Sequence, residues 1–217
     1  MLPRHSAGFP LGAHTCWRRA DPVARKLFGW YLDFQSSGEA PPGPIVVAAN
    51  HYSHLDPFVV GMAVRRPVRY LAVDELFGRS RLFDAVTYWM GAIPMSRVRA
   101  PVRALRTALT HLESGGAVGV FPESHRVWTW GETPPKRGAA WLSLRNGAPL
   151  VPVALEGTRE SFGRGAARIR RAPVRSVVAP AIDPDDYRGH DDPVGALTEE
   201  WARSIDEGLR VIHEQWC

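Results

Sequence analysis

The chain has 217 residues, of which 45% are hydrophobic and 23% charged, with a formal net charge of +5, and this composition is typical of a globular protein. No apolar run approaches the roughly 20 residues of a membrane-spanning helix, and the N-terminal stretch lacks the apolar core of a signal peptide, so we expect a cytoplasmic protein. The two cysteines, Cys16 and Cys217, lie near opposite ends of the chain, which argues against a disulfide framework and a zinc site.

Arginine carries nearly all of the positive charge, since Lys26 and Lys136 are the only lysines. A guanidinium group suits phosphate and carboxylate oxygens. The excess therefore fits phosphorylated substrates, anionic lipid headgroups or nucleic acid, and composition alone leaves all of these open. Nucleic acid is the least favoured because no recognisable binding module surrounds the basic residues.

An amphipathic helix is predicted near the N-terminus, where Asp21 suits the cap and Pro22 the first turn. The apolar residues that follow recur at helical spacing: Val23, Leu27, Trp30, Tyr31 and Phe34. Their face either lies at a membrane surface or packs on the rest of the protein. The Gly- and Pro-rich stretch 36–44 then predicts a loop. We assign residues 1–40 to an N-terminal helical segment with possible membrane-surface contact and residues 41–217 to one folded domain.

A second stretch rich in large apolar side chains covers residues 74–91. Its large side chains are Leu76, Phe77, Leu82, Phe83, Tyr88, Trp89 and Met90. Core packing and membrane contact are again the two interpretations of this stretch, and packing is slightly favoured.

Short β-rich runs alternate with helical periodicity along the rest of the chain. The runs are PIVVAAN, PVRYLAV, GAVGVFP, APLVPVAL and RSVVAP. Apolar residues recur at helical spacing from Val102 to Leu112 and from Leu197 to Ile212. This alternation predicts a single α/β domain with a largely parallel, mixed sheet flanked by helices.

Three polar clusters directly follow apolar runs: NHYSHLD at 50–56, PESHR at 122–126 and EGTRE at 156–160. Functional groups in parallel sheets gather where strands end at their carboxyl edge. The position of these clusters therefore indicates a functional site at that edge.

The cluster at 50–56 contains two histidines and a carboxylate. Asp56 precedes Pro57 and an apolar run, which is the pattern of a helix cap. The same carboxylate can orient a histidine if the residues between them turn back, leaving the imidazole as a general base. Spacing alone does not distinguish His51 from His54 as that base, and both can also be ordinary surface residues.

Two further segments carry candidate anion-binding groups. GAIPMSR predicts a loop from Gly91 that delivers Arg97, and FPESHR places Glu123 and Arg126 after a strand. Nucleophile-elbow, phosphate-loop and zinc-protease motifs are absent from the sequence, as is the C-x-x-C pair. Ordinary hydrolase, NTPase and zinc-enzyme functions are accordingly disfavoured.

Taken together and in order, NHYSHLD, GAIPMSR, FPESHR and VPVAL resemble the blocks of the glycerolipid acyltransferase family, typified by lysophosphatidic acid acyltransferases. They run from Asn50 to Leu155, about half of the chain. The resemblance implies that His51 deprotonates the acceptor hydroxyl and that Asp56 orients it, with no acyl-enzyme. It breaks the tie between the two histidines in favour of His51.

The resemblance also implies a substrate-binding set. Arg97, Glu123 and Arg126 would bind the phosphate and glycerol of a lysophospholipid acceptor, and we add to the set Asn50, Ser53, Ser124, His125 and Lys136. The acyl donor would be acyl-CoA or acyl carrier protein, with no metal or other cofactor. We expect peripheral contact with the cytoplasmic membrane, through surfaces such as those around Trp30 or Trp89.

The third block departs from the family, which commonly has Gly-Thr where this chain has Ser124 and His125. Loss of glycine matters if the backbone needs a positive φ, and the imidazole adds a polar group to the pocket. Alternatives therefore remain: an acyltransferase of the same fold with another lipid or glycolipid acceptor, a catalytically silent lipid-surface protein, or a thioesterase-like hydrolase.

Overall fold

A sheet with helices on both faces organises the computed structural model, which describes residues 22–23, 26–73, 87, 91–95 and 101–216. The strands are β1 (Gln35–Ser37), β2 (Ile45–Ala49), β3 (Val68–Val73), β4 (Ile93–Met95), β5 (Ala117–Val120), β6 (Leu150–Glu156) and β7 (Arg175–Val178). The helices are α1 (Asp56–Ala63), α2 (Val102–Glu113), α3 (Gly138–Asn146), α4 (Thr158–Phe162) and α5 (Pro193–Trp216), with a 3₁₀ turn at Pro184–Tyr187. Residues 26–32 are also helical.

The strand order is β1-β7-β6-β2-β5-β3-β4. Every neighbouring pair is parallel except β6 and β7, which are antiparallel. The predicted α/β domain with a largely parallel, mixed sheet is therefore confirmed. All five residues of β2 are buried, as expected for a central strand whose sequence is continuously apolar.

Two strands differ from the sequence-based expectation. Residues 91–97 were predicted as a loop, but Ile93–Met95 pairs with β3 at the edge of the sheet, where Pro94 is tolerated. β1 precedes the predicted boundary at residue 40, yet it pairs with β7 and so belongs to the sheet. Each strand has only three residues, too few to give a readable period. The division at residue 40 itself stays a prediction.

The core has a layer on each side of the sheet. One layer packs α2, α3 and α5 on the sheet, and Trp201 of α5 is buried there with its indole N–H donating to the carbonyl of Ala48 at 3.0 Å. The other layer packs α1 and Leu32. The predicted helical periods bury Leu112 as expected, whereas Val102 at the start of α2 remains 58% exposed.

The N-terminal helical residues place several apolar side chains in solvent. Leu27 and Trp30 are 60% and 71% exposed. The stretch around Trp89 lies almost wholly outside the described residues, as do Cys16 and Cys217. None of the helices in the described part of the chain combines the length and the apolar character that a membrane crossing requires.

Candidate active site

The three polar clusters meet at one edge of the sheet. β2 lies between β5 and β6, and all three strands run parallel. Their carboxyl ends therefore point the same way and bring residues 50–56, 122–126 and 156–160 to the same side of the molecule. The convergence predicted from the sequence is present in the fold.

The side chains of His51 and Asp56 form a close pair. His51 Nδ1 lies 2.7 Å from Asp56 Oδ2. The same oxygen accepts hydrogen bonds from the backbone N–H groups of Tyr52 and Ser53, each at 2.7 Å. The loop after β2 turns back as the sequence analysis required, because its amides fold around the carboxylate. Asp56 is fully buried. The contacts of Oδ2 with His51 and with the two backbone N–H groups fix the orientation of its carboxylate.

Asp56 does not cap α1, which corrects the predicted role. Helix α1 begins at Asp56 itself, after Leu55, and no side-chain hydrogen bond caps it. The carboxylate instead receives donors from the residues before the helix, because the tight turn at Tyr52 and Ser53 points their N–H groups at it. The three hydrogen bonds to Asp56 Oδ2 come from His51 and from the backbone of the loop before the helix.

The imidazole of His51 is held in one orientation. Its ring stacks on Phe121, with centroids 4.1 Å apart and an 18° angle between planes. The backbone carbonyl of His51 accepts a hydrogen bond from the N–H of Val127 at 2.9 Å. Because a carboxylate only accepts, Nδ1 carries the proton and Nε2 keeps its lone pair. The histidine is therefore arranged as a general base whose side chain is 17% exposed.

A cavity of about 910 Å³ opens beside His51. Its apolar wall comes from β3, β4, β5 and α2, with the side chains of Leu71, Ala72, Met95, Leu105 and Val120. Its cationic wall comes from the loops after β5 and α4, with Arg126, Lys136, Arg137 and Arg164. Asp192 also lines the cavity and pairs with Arg137 at 2.7 Å. The volume is within the range of sites for small ligands. An apolar chain attached to an anionic head would match both walls.

The cavity brings together only part of the predicted site. Its lining includes His51, Ser124, His125, Arg126 and Lys136. It also includes His54, whose ring centre lies 6.3 Å from that of Phe162. The carboxylate contact belongs to His51, which agrees with the family-based choice between the two histidines. Arg97 lies outside the described residues, so its predicted role in substrate binding stays a prediction.

Asn50 faces a neighbouring strand rather than the cavity. Its amide nitrogen donates to the carbonyl of Leu155 at 2.9 Å, and its amide oxygen accepts the Leu155 N–H at 2.8 Å. The side chain is fully buried and extends the pairing of β2 and β6 by one step. These contacts give Asn50 a positioning role in the sheet, and its predicted substrate contact stays a prediction.

Ser53 also acts on the protein itself. Its hydroxyl donates to the carbonyl of Phe162 at 2.6 Å and accepts the N–H of Leu55 at 3.0 Å. It is fully buried. Ser53 thus ties the loop that holds His51 to the end of α4, and its predicted substrate contact stays a prediction.

Glu123 lies in an apolar setting close to the pair. Only 1% of its surface is exposed, and within the described ranges its carboxyl oxygens make no hydrogen bond of standard geometry, only a weaker approach to the backbone of His51. Burial raises the pKa of Glu123 to about 8, and the nearby Asp56 charge adds to the rise, while the backbone of His51 partly offsets it. At neutral pH this side chain is mainly a neutral acid in the ligand-free protein.

The departure from the family at Ser124 has a structural consequence. Its φ is +63°, in the left-handed region that glycine occupies without strain. The backbone therefore keeps the conformation that the usual glycine would allow, at a cost. The adjacent His125 lines the cavity with its Nε2 3.5 Å from the hydroxyl of Thr133.

Several cavity residues were not predicted from the sequence. Tyr70 stacks under Phe121 with centroids 5.4 Å apart, and thereby supports the ring that supports His51. Gly119 allows this, since a Cβ there would lie 2.3 Å from the Tyr70 ring. Arg164 arrives from the loop after α4. Gly119, a glycine within a strand, was the sequence signal that could have indicated the packing of Tyr70. No feature of the sequence indicated Arg164.

Within the described ranges, no three His, Cys, Asp or Glu side chains are grouped as a metal ion requires.

Comparisons with known proteins relate the chain to acyltransferases. The sequence profile of the family described as Acyltransferase matches residues 32–156. The chain is 25% identical over 198 residues to a 1-acyl-sn-glycerol-3-phosphate acyltransferase of Limnanthes alba, covering 87% of this chain and 63% of that relative. It is 29% identical over 128 residues to the protein of the same name in Bacillus subtilis, covering 57% of this chain and 63% of that one.

Both curated relatives are thus longer than the part that this chain matches. Among solved structures, the fold is similar to that of the 1-acyl-sn-glycerophosphate acyltransferase PlsC of Thermotoga maritima. The TM-score is 0.72 at 21% identity, and the similarity covers 94% of this chain and 83% of that one. At this identity the likeness concerns the fold.

Proposed function

The chain belongs to the acyltransferase family, which its residues 32–156 match, and we propose that it transfers a fatty acyl group from an acyl thioester to a hydroxyl of a lysophospholipid. The observation that carries the proposal is the 2.7 Å contact between His51 Nδ1 and Asp56 Oδ2 at the wall of the cavity. We favour 1-acylglycerol-3-phosphate as the acceptor, the compound in the names of the relatives. The reaction would belong to phospholipid synthesis or remodelling.

The first step of the proposed reaction is proton removal from the acceptor. Nε2 of His51 takes the hydroxyl proton while the acceptor oxygen bonds to the thioester carbonyl carbon. Asp56 stabilises the imidazolium that results, since its carboxylate already accepts from Nδ1. His51 needs no movement, because Phe121 and the turn around Asp56 hold it in place.

The second step releases the thiol. The tetrahedral intermediate collapses, the carbon–sulfur bond breaks, and the imidazolium returns its proton to the sulfur. The acyl group passes directly to the acceptor oxygen, so no acyl-enzyme forms. The donor is an acyl-CoA or an acyl carrier protein, which would enter as a substrate.

The cavity walls suit the two substrates. Arg126 and Lys136 provide cations for the acceptor phosphate. The apolar wall at Leu71, Met95 and Leu105 suits a hydrocarbon chain. Reaction requires the hydroxyl to be held about 3 to 3.5 Å from the carbonyl carbon, and the fixed imidazole helps to set this approach.

A related acceptor is the second candidate, and Ser124 and His125 favour it. Both line the cavity where the family commonly has Gly-Thr. An imidazole adds bulk and a hydrogen-bonding group beside the cationic wall. Another lipid or a glycolipid is the acceptor under this second proposal, with the same His51 and Asp56 chemistry.

We also propose that the protein works at the surface of the cytoplasmic membrane. The support is the exposed face of residues 26–32, where Leu27 and Trp30 stand in solvent. A helix with apolar and aromatic residues on one side and basic residues beside them suits an interface. Acceptor and product are both lipids, so contact with the bilayer shortens their path.

Product analysis tests the proposed activity. The purified full chain is offered mixed lysophospholipids and lysoglycolipids together with acyl-CoA and acyl carrier protein donors, and the products are identified by mass spectrometry. We expect a diacyl lipid and a free thiol, with phosphatidic acid from the favoured acceptor. Free fatty acid without acylated lipid would instead establish hydrolysis, and no thiol release from any donor would refute the proposal.

A further inference from the structure

The loop after α4 is unusually basic. Four arginines stand in the segment 163–171, which we name the arginine loop: Arg164, Arg168, Arg170 and Arg171. All four are exposed. No acidic residue occurs from 161 to 182, so the loop carries uncompensated positive charge along its own length.

Hydrogen bonds hold the arginine loop in shape. The N–H of Arg170 donates to the carbonyl of Ser161 at 2.9 Å, and the Ser161 hydroxyl donates to the carbonyl of Arg170 at 2.9 Å. A turn inside it joins the Ala166 N–H to the Gly163 carbonyl at 3.2 Å. The charges are therefore presented by an ordered loop with a closed base.

The arginine loop adjoins the exposed face of the N-terminal helical residues. The hydroxyl of Tyr31 donates to the carbonyl of Ile169 at 3.2 Å. Ile169, at the centre of the loop, is 41% exposed, and Leu27 and Trp30 on the helical residues are more exposed still. Cationic and large apolar side chains thus share one surface.

We propose that the arginine loop and the exposed face of residues 26–32 form one docking surface for a bilayer that contains anionic phospholipid. This inference rests on the proposed lipid acyltransferase function and extends it by assigning the headgroup preference to the loop. Arginines attract the anionic headgroups, and Trp30, Leu27 and Ile169 enter the interface. A nucleic acid would match the charge but would leave these apolar side chains uncovered, and an acidic protein is the alternative that the measurements below separate from a bilayer.

The docking surface lies beside the candidate active site. Arg164 lines the cavity, and its guanidinium lies 5.5 Å from the ring centre of Trp128, which is 50% exposed. The hydroxyl of Ser53, between His51 and Asp56 in the chain, donates to Phe162 at the base of the loop. A membrane bound to the arginine loop therefore meets the cavity at its cationic wall.

The test is sedimentation of the full chain with vesicles of phosphatidylcholine alone or mixed with phosphatidylglycerol. The variant R168Q/R170Q/R171Q removes three charges and leaves the cavity lining intact. We expect roughly fivefold weaker binding to the mixed vesicles for each charge, on the order of 100-fold in total. Binding of the unmodified chain should also weaken as salt is added.

The matched control is R188Q/R203Q/R210Q, which loses the same charge from exposed arginines that pair with acidic residues elsewhere. It should bind mixed vesicles within a few-fold of the unmodified chain. Equal loss in both triple variants, or salt-independent binding of the unmodified chain, would overturn the proposal. If R168Q/R170Q/R171Q fails to fold, two measurements still test the docking surface. Binding of the unmodified chain should weaken with salt, and the single variant Ile169→Ser should bind mixed vesicles more weakly than the unmodified chain.

A second measurement separates this inference from the catalytic one. Acyl transfer between a short-chain, water-soluble lysolipid and donor is followed without vesicles. The R168Q/R170Q/R171Q variant should keep the activity of the unmodified chain there. Vesicle binding that depends on the loop in a chain that transfers no acyl group would refute the proposed function alone. Binding of acyl carrier protein to the unmodified chain and to R168Q/R170Q/R171Q is measured in parallel. Loss of that binding in the variant with unchanged vesicle binding would refute the docking surface.

Discussion

The Asp56 carboxylate reaches back to Nδ1 of His51 at 2.7 Å although the two residues are five positions apart in the chain. The amides of Tyr52 and Ser53 turn around the same oxygen, and Phe121 lies flat against the imidazole. A base held in this way spends no free energy on ordering when substrate arrives. The cavity beside it has an apolar and a cationic wall, and each of the following predictions tests one part of this arrangement.

Glu123 makes stability fall with rising pH. The unfolded chain releases this proton near the ordinary pKa of 4.5, whereas the folded chain holds it to about 8. Between these values the folded state binds more protons, so the free energy of unfolding decreases by up to about 1.4 kcal/mol per pH unit from this group. Glu123→Gln removes the contribution, and denaturant unfolding of both proteins across the window measures it. A difference between them that does not change with pH would contradict the burial of an acid here.

Ser124→Gly should stabilise the protein. Its φ of +63° strains any residue with a Cβ, and glycine relieves this by about 1 kcal/mol. Ser124→Ala is the matched control, because it removes the hydroxyl and keeps the strain. We expect Ser124→Gly to have the higher free energy of unfolding of the two variants. The reverse order would show that the backbone at this position is relaxed.

Asn50→Leu should destabilise the fold rather than weaken substrate binding. It leaves the buried N–H and carbonyl of Leu155 without partners, at about 1 to 3 kcal/mol for each group. The same change at Asn146, at the end of α3, should cost much less. Chemical unfolding compares the two variants. A raised KM with unchanged stability in Asn50→Leu would instead support the predicted substrate contact.

Leu105→Trp should shorten the acyl chains that the protein accepts. Leu105 lines the apolar wall of the cavity, and the larger ring fills part of it. We expect kcat/KM for long-chain donors to fall by about tenfold or more relative to short-chain donors. Val102→Trp, on the same helix but 58% exposed, should leave the chain-length profile unchanged. An identical profile in all three proteins would place the hydrocarbon elsewhere.

The sequence predicted the sheet well because strand and helix periods are strong where elements are long. The continuously apolar residues of β2 and the spacing in α5 both led to the correct elements. β1 and β4 were missed because three residues carry no period, and pairing with β7 and β3 decides their conformation.

The candidate site was predicted less completely, because the sequence does not reveal the direction in which each side chain points. Asn50 and His51 are adjacent polar residues at the end of one strand, but one faces the backbone of Leu155 and the other faces the cavity. Spacing does not reveal which neighbour a side chain meets. The pairing of His51 rather than His54 with Asp56 depends on the turn at Tyr52 and Ser53. The sequence indicated for Asp56 either a helix cap or a partner of one histidine, and it did not reveal which.

The most direct test of the central claim is the rate of acyl transfer in His51→Ala compared with His54→Ala. Both histidines line the cavity, so each variant removes the same side-chain volume from its lining, and the 2.7 Å contact with Asp56 belongs to His51. We expect kcat to fall by about 10²- to 10⁴-fold in His51→Ala, the usual contribution of a general base, and by less than about tenfold in His54→Ala. Full acyl transfer by a folded His51→Ala protein would contradict the role of His51 as the general base.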